Sequence, residues 1–490
     1  VGRLVIVSNR VPALRERAPL AGGLAVGLRE AVAGRETLWF GWSGRTVNGA
    51  QPEHAHTVRS GRLTSATLDL SEASYRGYYH GFSNATLWPL LHWRLGITAF
   101  SRGDFETYLA VNETFARALL PLLRPDDSIW VHDYHLIPLG AALRRLGVAG
   151  GIGFFLHVPF PPPPVFTALP RAETLLDGLA AYDLVGVQTQ EDAAHLNALL
   201  DQPLGQAFPI GIDPESFAAA ARLAAEGEEV QRLRDSLAGR ALVLGVDRLD
   251  YTKGLPQRFR GFHRMLQRFP ARRGQVTFLQ VAPVSRGDVA EYRSLRKELD
   301  ELAGRVNGEY AEFDYFPLRF LTRAMARPTL AGAYRLARVG LVTPLRDGMN
   351  LVAKEYVAAP ASEDPGVLVL SRFAGAAPQL QGALLVNPYD PDEIAEALDQ
   401  ALGMGLGERQ ERWHKMAQGV WQGTAAQWGQ DFLAALAATS VSKAGALPRT
   451  PPRASPLEPA TPGAGRHGLG RAGVAADVDT SRADAASRVA

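Results

Sequence analysis

Short apolar runs alternate along most of this chain with segments whose apolar residues recur at helical spacing, the pattern of βαβ units and parallel sheets. In the first half the runs predict strands at Leu4 to Asn9, Ser128 to His132, Gly151 to His157 and Leu184 to Gln188. In the second half they predict strands at Ala241 to Val246, Val276 to Val281, Val339 to Thr343, Val367 to Ser371 and Ala383 to Asn387. The fold class is therefore α/β. Turn chemistry at Pro209 to Pro214, then a charged helix ending at Gly239, divides the chain into domains 1–238 and 239–442. A long helical region follows from Pro391 to about Ala438. Beyond Ser442 large apolar residues almost vanish among Ala, Pro, Gly and Arg, so 443–490 is expected to be a disordered tail.

Composition agrees with two cores. The 490 residues are 46% hydrophobic, and single cores stop growing near roughly 250 to 300 residues. Lys+Arg 52 against Asp+Glu 50 gives a net charge of +2, which offers no general attraction for nucleic acid or membrane. Cys 0 excludes disulfides and thiolate metal sites. No apolar run reaches the roughly 20 residues that span a bilayer, and a cytoplasmic protein is expected.

The sharpest chemical signal is Leu345-Arg346-Asp347-Gly348-Met349-Asn350-Leu351-Val352-Ala353-Lys354-Glu355, which leaves a strand and opens a helix. Amides near Asn350 to Val352 lack helical partners and carry the positive end of the dipole, so they can hold a phosphate oxygen without a lysine. Glu355, one turn on, suits ribose hydroxyls, and Asp347 can accept from sugar hydroxyls. The turn suggests a nucleotide-sugar diphosphate. A second device is Asp247-Arg248-Leu249-Asp250-Tyr251-Thr252-Lys253-Gly254, where Arg248 and Lys253 can converge outside the carboxyl end of a sheet. The bland alternative is a solvated loop in which Arg248 only pairs with Asp250. Two cations and a helix N-terminus would make a diphosphate receptor with no metal and no cofactor.

In the first half, Ser8-Asn9-Arg10 ends the first strand, and Ala21 to Gly27 is a glycine-rich loop in which Gly22 and Gly23 could let backbone approach a ligand. Trp42, Tyr79 and Trp88 lie among small and polar residues and could form a sugar platform, although aromatic core is the commoner role for any one of them. Asp133 and His157 follow neighbouring strands. His132 and His135 look like a metal pair, but read on one strand they point to opposite faces.

The blocks SNR, AGGLAVG, FGWSG, FSNATLWP, WVHDYHL, GFFLHVPFP, DRLDYTKG, APVSRGDV, GRVNGEY, TPLRDGMNLVAKEYVA and FAGAA, in this order from Leu4 to Ala438, resemble the trehalose-6-phosphate synthase family. The resemblance implies a retaining glucosyltransferase of GT-B fold, two Rossmann-like domains facing each other across a substrate cleft, with the acceptor in the first and the nucleotide-sugar in the second. Its donor is usually UDP-glucose and its acceptor glucose-6-phosphate. By the same resemblance Arg10, Tyr79, Trp88 and Arg305 hold the acceptor phosphate and its surroundings, with Trp42 and Asp133 against the acceptor sugar. Gly22 with Gly23, Arg248, Lys253 and the Leu351 and Val352 amides fall on the diphosphate, in one donor set with Gly348, Met349 and Asn350. Glu355 falls on ribose, and His157 and Asp347 on the transferred glucose. The set expected to carry the reaction is Asp133, His157, Arg248, Lys253 and Asp347, with metal none. The expected partners are the two sugars and a second copy of the chain. Another phosphorylated acceptor such as glycerol-3-phosphate, or a non-catalytic sugar-phosphate sensor, stays open from the residues alone.

Overall fold

The structure, a computed structural model, describes residues 2–11, 27–28, 34–52, 54–284 and 290–444. The glycine loop with Gly22 and Gly23, and the tail beyond 444, lie outside the described residues. Eight strands form the first sheet: β1 (Leu4–Arg10), β2 (Thr37–Val47), β3 (His56–Ser60), β4 (Leu63–Ser71), β5 (Ser128–His132), β6 (Ile152–Phe155), β7 (Leu184–Val187) and β8 (Gly205–Ala207). Their order is β3-β4-β2-β1-β5-β6-β7-β8, parallel except for the antiparallel β3–β4 edge. Six more, β9 (Ala241–Val246), β10 (Val276–Val281), β11 (Leu318–Leu321), β12 (Val339–Val342), β13 (Val367–Ser371) and β14 (Leu384–Val386), form the second sheet in the order β11-β10-β9-β12-β13-β14, all parallel.

The strands β2, β3, β4, β8 and β11 were not expected from the hydrophobic pattern, and β6, β7, β12 and β14 are shorter than their apolar runs. β2 carries a buried run from Leu38 to Trp42 and then continues through the more exposed Ser43 to Val47, so only its first half reads as a buried strand. β3 is exposed at every position because it is the outer edge.

Central parallel strands are covered on both faces, as their unbroken apolar runs require. Successive side chains therefore feed different cores. Val5 and Val7 of β1 enter a core on the far side of the first sheet, and Leu4 and Ile6 enter a second core that also receives Leu242, Leu244 and Val246 of β9. A third core, with Val243, lies beyond the second sheet. The middle core is continuous from one sheet to the other, and both sheets belong to one compact unit.

The last helical region is three helices, Pro391–Gly403, Leu406–Gln422 and Ala425–Ala444. The third returns to the first sheet, where Phe432 stacks on Trp130 at 4.7 Å and Trp428 lies 4.8 Å from the same ring. Gly153 and Gly186 make the room, since a Cβ on either would fall 2.8 Å from the Phe432 ring. Among the described residues no helix is long and apolar enough to cross a membrane.

Candidate active site

In an open parallel sheet the ligand crevice lies where strand order reverses, outside the carboxyl ends of the strands. The first sheet reverses between β1 and β5, which deliver Arg10 and Asp133. The second reverses between β9 and β12, followed by Asp247-Arg248 and by Thr343 to Asp347. The two switch points meet. A Cβ on Gly348 would lie 2.2 Å from the His157 carbonyl oxygen, so the turn after β12 touches the backbone after β6. Arg248 lies over the Trp88 ring at 5.6 Å, and the Arg346 guanidinium sits 3.3 Å above Trp93.

On the second sheet Lys253 Nζ bonds Asp347 Oδ2 at 2.5 Å, and Asn350 Nδ2 donates to the same oxygen at 3.0 Å. Burial alone would raise the Asp347 carboxyl, but the Lys253 charge and these bonds outweigh it and hold it below its ordinary value. Burial likewise opposes the Lys253 ammonium, yet Asp347 and Asp247 raise it above its usual range. Arg258, wholly buried, braces the strand ends by bonding Asp247 at 2.8 Å, Gln280 at 3.0 Å and Thr343 at 3.1 Å. Arg248 stands 3.7 Å from Asp250 with 46% of its side chain exposed, so the bland pairing exists but leaves the guanidinium facing the cleft residue Trp88.

The helix Leu351–Ala358 begins at Asn350, which adopts φ 75° and caps the Ala353 amide with Oδ1 at 3.1 Å. Among the described residues this leaves the Leu351 and Val352 amides as the uncapped donors of that helix. Met349 is buried beneath the turn, and Glu355 lies 3.7 Å from Arg327.

On the first sheet Asp133 holds φ 77°, a left-handed conformation that costs a non-glycine residue about 1 to 3 kcal/mol. Its amide bonds the Phe155 carbonyl at 2.8 Å and its Oδ1 accepts from the His157 amide at 3.3 Å, so Asp133 and His157 form one unit. The His157 ring bonds His132 at 3.1 Å, and burial lowers its imidazole to about 3, keeping it neutral. His132 ends β5, but His135 belongs to the following turn, Tyr134–Leu136, so the two histidines do not share a strand. Among the described residues no cluster of His, Asp and Glu has the makings of a metal site.

Arg10 lies 5.9 Å from the Trp42 ring, which is tilted against Tyr75 and Tyr79 at 5.0 and 5.9 Å. Trp42 and Trp88 are each only 6% exposed, whereas Tyr79 is half-buried and stacks on His135. Arg305 corrects the expectation. It lies exposed on the helix Ala290–Tyr310, whose early residue Tyr292 bonds Asp250 near the cleft and whose Asn307 bonds Leu318 at the entering end of β11. At 1.5 Å rise per residue Arg305 is about 20 Å along the axis from Tyr292, toward the entering end of β11 and away from the carboxyl edge.

Residues that sequence reasoning passed over also meet here. Trp93, at φ 60°, presents its ring to Arg346, and Arg346 also lies 3.6 Å from Glu191 of the first half. The Arg next to Asp347 was the available signal.

Two parallel sheets with apposed switch points, one presenting cations and a helix N-terminus and the other an Asp–His pair, define a glycosyltransferase of the GT-B type. Residues 3–202 and 203–438 match glycosyltransferase family 20. A trehalose-6-phosphate synthase of Sinorhizobium fredii is 47% identical over 461 residues, spanning 90% of this chain and 99% of that one. Its counterpart in Enterobacter is 45% identical over 458 residues, 90% of this chain and 96% of that one. Among solved structures, an α,α-trehalose-phosphate synthase (UDP-forming) of Burkholderia xenovorans in complex with glucose-6-phosphate superposes with TM-score 0.86 at 45% identity, covering 89% of this chain and 100% of that chain. The E. coli enzyme bound with UDP-2-fluoro glucose gives TM-score 0.83 at 44% identity, covering 89% of this chain and 99% of that chain. The chain belongs to glycosyltransferase family 20.

Proposed function

We propose that the protein transfers glucose from UDP-glucose to glucose-6-phosphate with retention, forming α,α-trehalose 6-phosphate and UDP. The observation that carries this reading is the apposition of Gly348 and His157, which brings the diphosphate device within a backbone's thickness of the Asp133–His157 unit.

In this reading Arg248, Lys253 and the Leu351 and Val352 amides hold the diphosphate, Glu355 the ribose, and Asp347 with His157 the glucose. Arg10 and Tyr79 hold the acceptor phosphate, and Asp133 orients the attacking hydroxyl. The bond from the anomeric carbon to the diphosphate oxygen breaks as a bond to the acceptor oxygen forms on the same face, and the hydroxyl proton passes to the departing oxygen. The protein supplies position and charge. Fixed cations and amides stabilise the negative charge growing on the leaving group, and holding both sugars makes the encounter effectively intramolecular. His157 is kept neutral and so adds no charge beside the glucose.

The halves 1–238 and 239–442 would serve as acceptor and donor domains of a cytoplasmic homo-oligomer. Incubation with UDP-glucose and glucose-6-phosphate should give a non-reducing disaccharide phosphate, identified by mass and loss of reducing-end signal. Preference for glycerol-3-phosphate, or binding of both sugars without turnover, would overturn it.

A further inference from the structure

Behind the cleft two buried polar side chains that the reaction above leaves unused, Lys354 and Gln188, lead to His157. Lys354 is 2% exposed, and from the helix Leu351–Ala358 its Nζ donates to the Ile210 carbonyl at 2.7 Å. The Ile210 amide donates in turn to Gln188 Oε1 at 3.0 Å. That bond orients the amide group, so Gln188 Nε2 faces His157 Nδ1, 3.5 Å away. With Nδ1 accepting, the His157 proton sits on Nε2 and points at His132 Nδ1, 3.1 Å away. Lys354, the carbonyl and amide of Ile210, and Gln188 thus connect the helix that opens at Asn350 with the His157 imidazole.

The link passes through a segment fixed at several points. The Ile212 carbonyl accepts from Ala425 at 3.1 Å, and Gly211 packs so closely on the chain at Gly423 that a Cβ would lie 1.7 Å from its carbonyl oxygen. Burial drives the Lys354 ammonium down to about 7. A lysine held there costs stability, and an apolar residue would fill the space without that cost. What the lysine adds is a directed bond from the helix to the other sheet.

We infer that Lys354 is a positioning residue, whose bond to Ile210 holds the diphosphate-binding helix in register with the Gln188–His157 pair so that leaving group and glucose are presented together. This rests on the proposed glucosyl transfer. A loss of register should fall on the donor side, because Lys354 touches no part of the Arg10 and Trp42 cluster.

The test compares Lys354→Met, Gln188→Met and the double variant with the unaltered protein, measuring kcat, both KM values and thermal melting. Lys354→Met should melt cooperatively and lose about tenfold or more in donor kcat/KM, while the glucose-6-phosphate KM stays within about twofold. Gln188→Met should show the same split. The double variant should be no worse than the more damaged single, since both cut one line. Unchanged donor kcat/KM in a folded Lys354→Met protein, equal damage to both substrates, or additive losses would overturn the inference. If Lys354→Met does not fold, Gln188→Met decides alone: normal donor kcat/KM there overturns the coupling. Absence of transfer in the unaltered protein would instead remove the functional reading itself.

Discussion

Lys253 and Asp347 meet at 2.5 Å across the switch point of the second sheet, with side chains 13% and 14% exposed. One leads a helix after β9, and the other sits in the turn after β12, so the pair ties together the two loops on which a diphosphate would rest. An arriving diphosphate would share Lys253 with a carboxylate already in place. The lysine is thereby preorganised and needs no search for its position.

Lys253→Ala should therefore act twice. It removes a charge from the leaving group and leaves Asp347 covered without its cation. Loss of one charge-assisted contact costs about 1.5 to 3 kcal/mol, and kcat should fall at least about tenfold at saturating glucose-6-phosphate. Arg248→Ala should lower kcat with less effect on melting, because its side chain is nearly half exposed. Normal turnover in both variants would refute the assignment.

Activity should survive exhaustive chelation. On the proposed reading the diphosphate would be met by Arg248, Lys253 and two helix amides, a set that supplies charge and donors without a divalent ion. Loss of turnover with EDTA, restored by Mg²⁺, would show that the donor site had been misread.

The acceptor arginines should separate cleanly. Arg10→Ala should raise the KM for glucose-6-phosphate by about tenfold or more, the cost of one charged contact. Arg305→Ala should leave both KM values within about twofold, because that side chain stands on the exposed far reach of its helix. Steady-state kinetics on the two variants side by side are the check. A large acceptor effect at Arg305 would require a geometry different from the one described.

Acid should destabilise the fold earlier than carboxylate titration alone would. Burial lowers His157 to about 3, His92 to about 4 and His132 well below its usual value. In the unfolded chain these rings take protons near pH 6.5. Their neutral burial is thus compatible with folding above about pH 6.5, and stability falls progressively as the pH drops from there toward about 3. Melting temperature measured from pH 7.5 to 4.5 should decline through this window, and His92→Gln should flatten the decline. A flat profile would contradict the histidine burial.

Ending the chain at Gly423 should give insoluble or non-cooperative protein, since Phe432 and Trp428 cover Trp130 and Phe155. Phe432→Ala should cost about 3 to 5 kcal/mol of stability, read by denaturant unfolding. Full-strength unfolding curves for the shortened chain would exclude this role for the last helix.

Strands whose apolar runs are bounded by turn residues were legible to the residue: β5, β9, β10 and β13 begin and end as the pattern predicts. β3 and β11 were not, because edge strands need no second apolar face and so carry little periodic signal. The placement of Arg248, Lys253, Asp347 and Asn350 was legible because they follow strands at the carboxyl edge. Arg305 misled because the sequence around it gives no measure of how far along a helix it lies. Lys354 was invisible for the opposite reason: a lysine in a helix reads as surface, and only the tertiary packing buries it.

Gly348 is enclosed on both sides, by the His157 backbone on one and on the other by Gly375, whose own Cβ would lie 1.7 Å from the Gly348 carbonyl oxygen. Three strips of bare main chain are therefore laid against one another where the two sheets join. Thickness at this seam is fixed by peptide groups, the one part of a protein that substitution cannot thin. Any side chain at 348 or 375 acts as a shim. Gly348→Ala would prise the sheets apart by a fraction of the length of the bond being exchanged, so alleles at these two positions should be selected on spacing, and pairs of compensating changes should be hard to find.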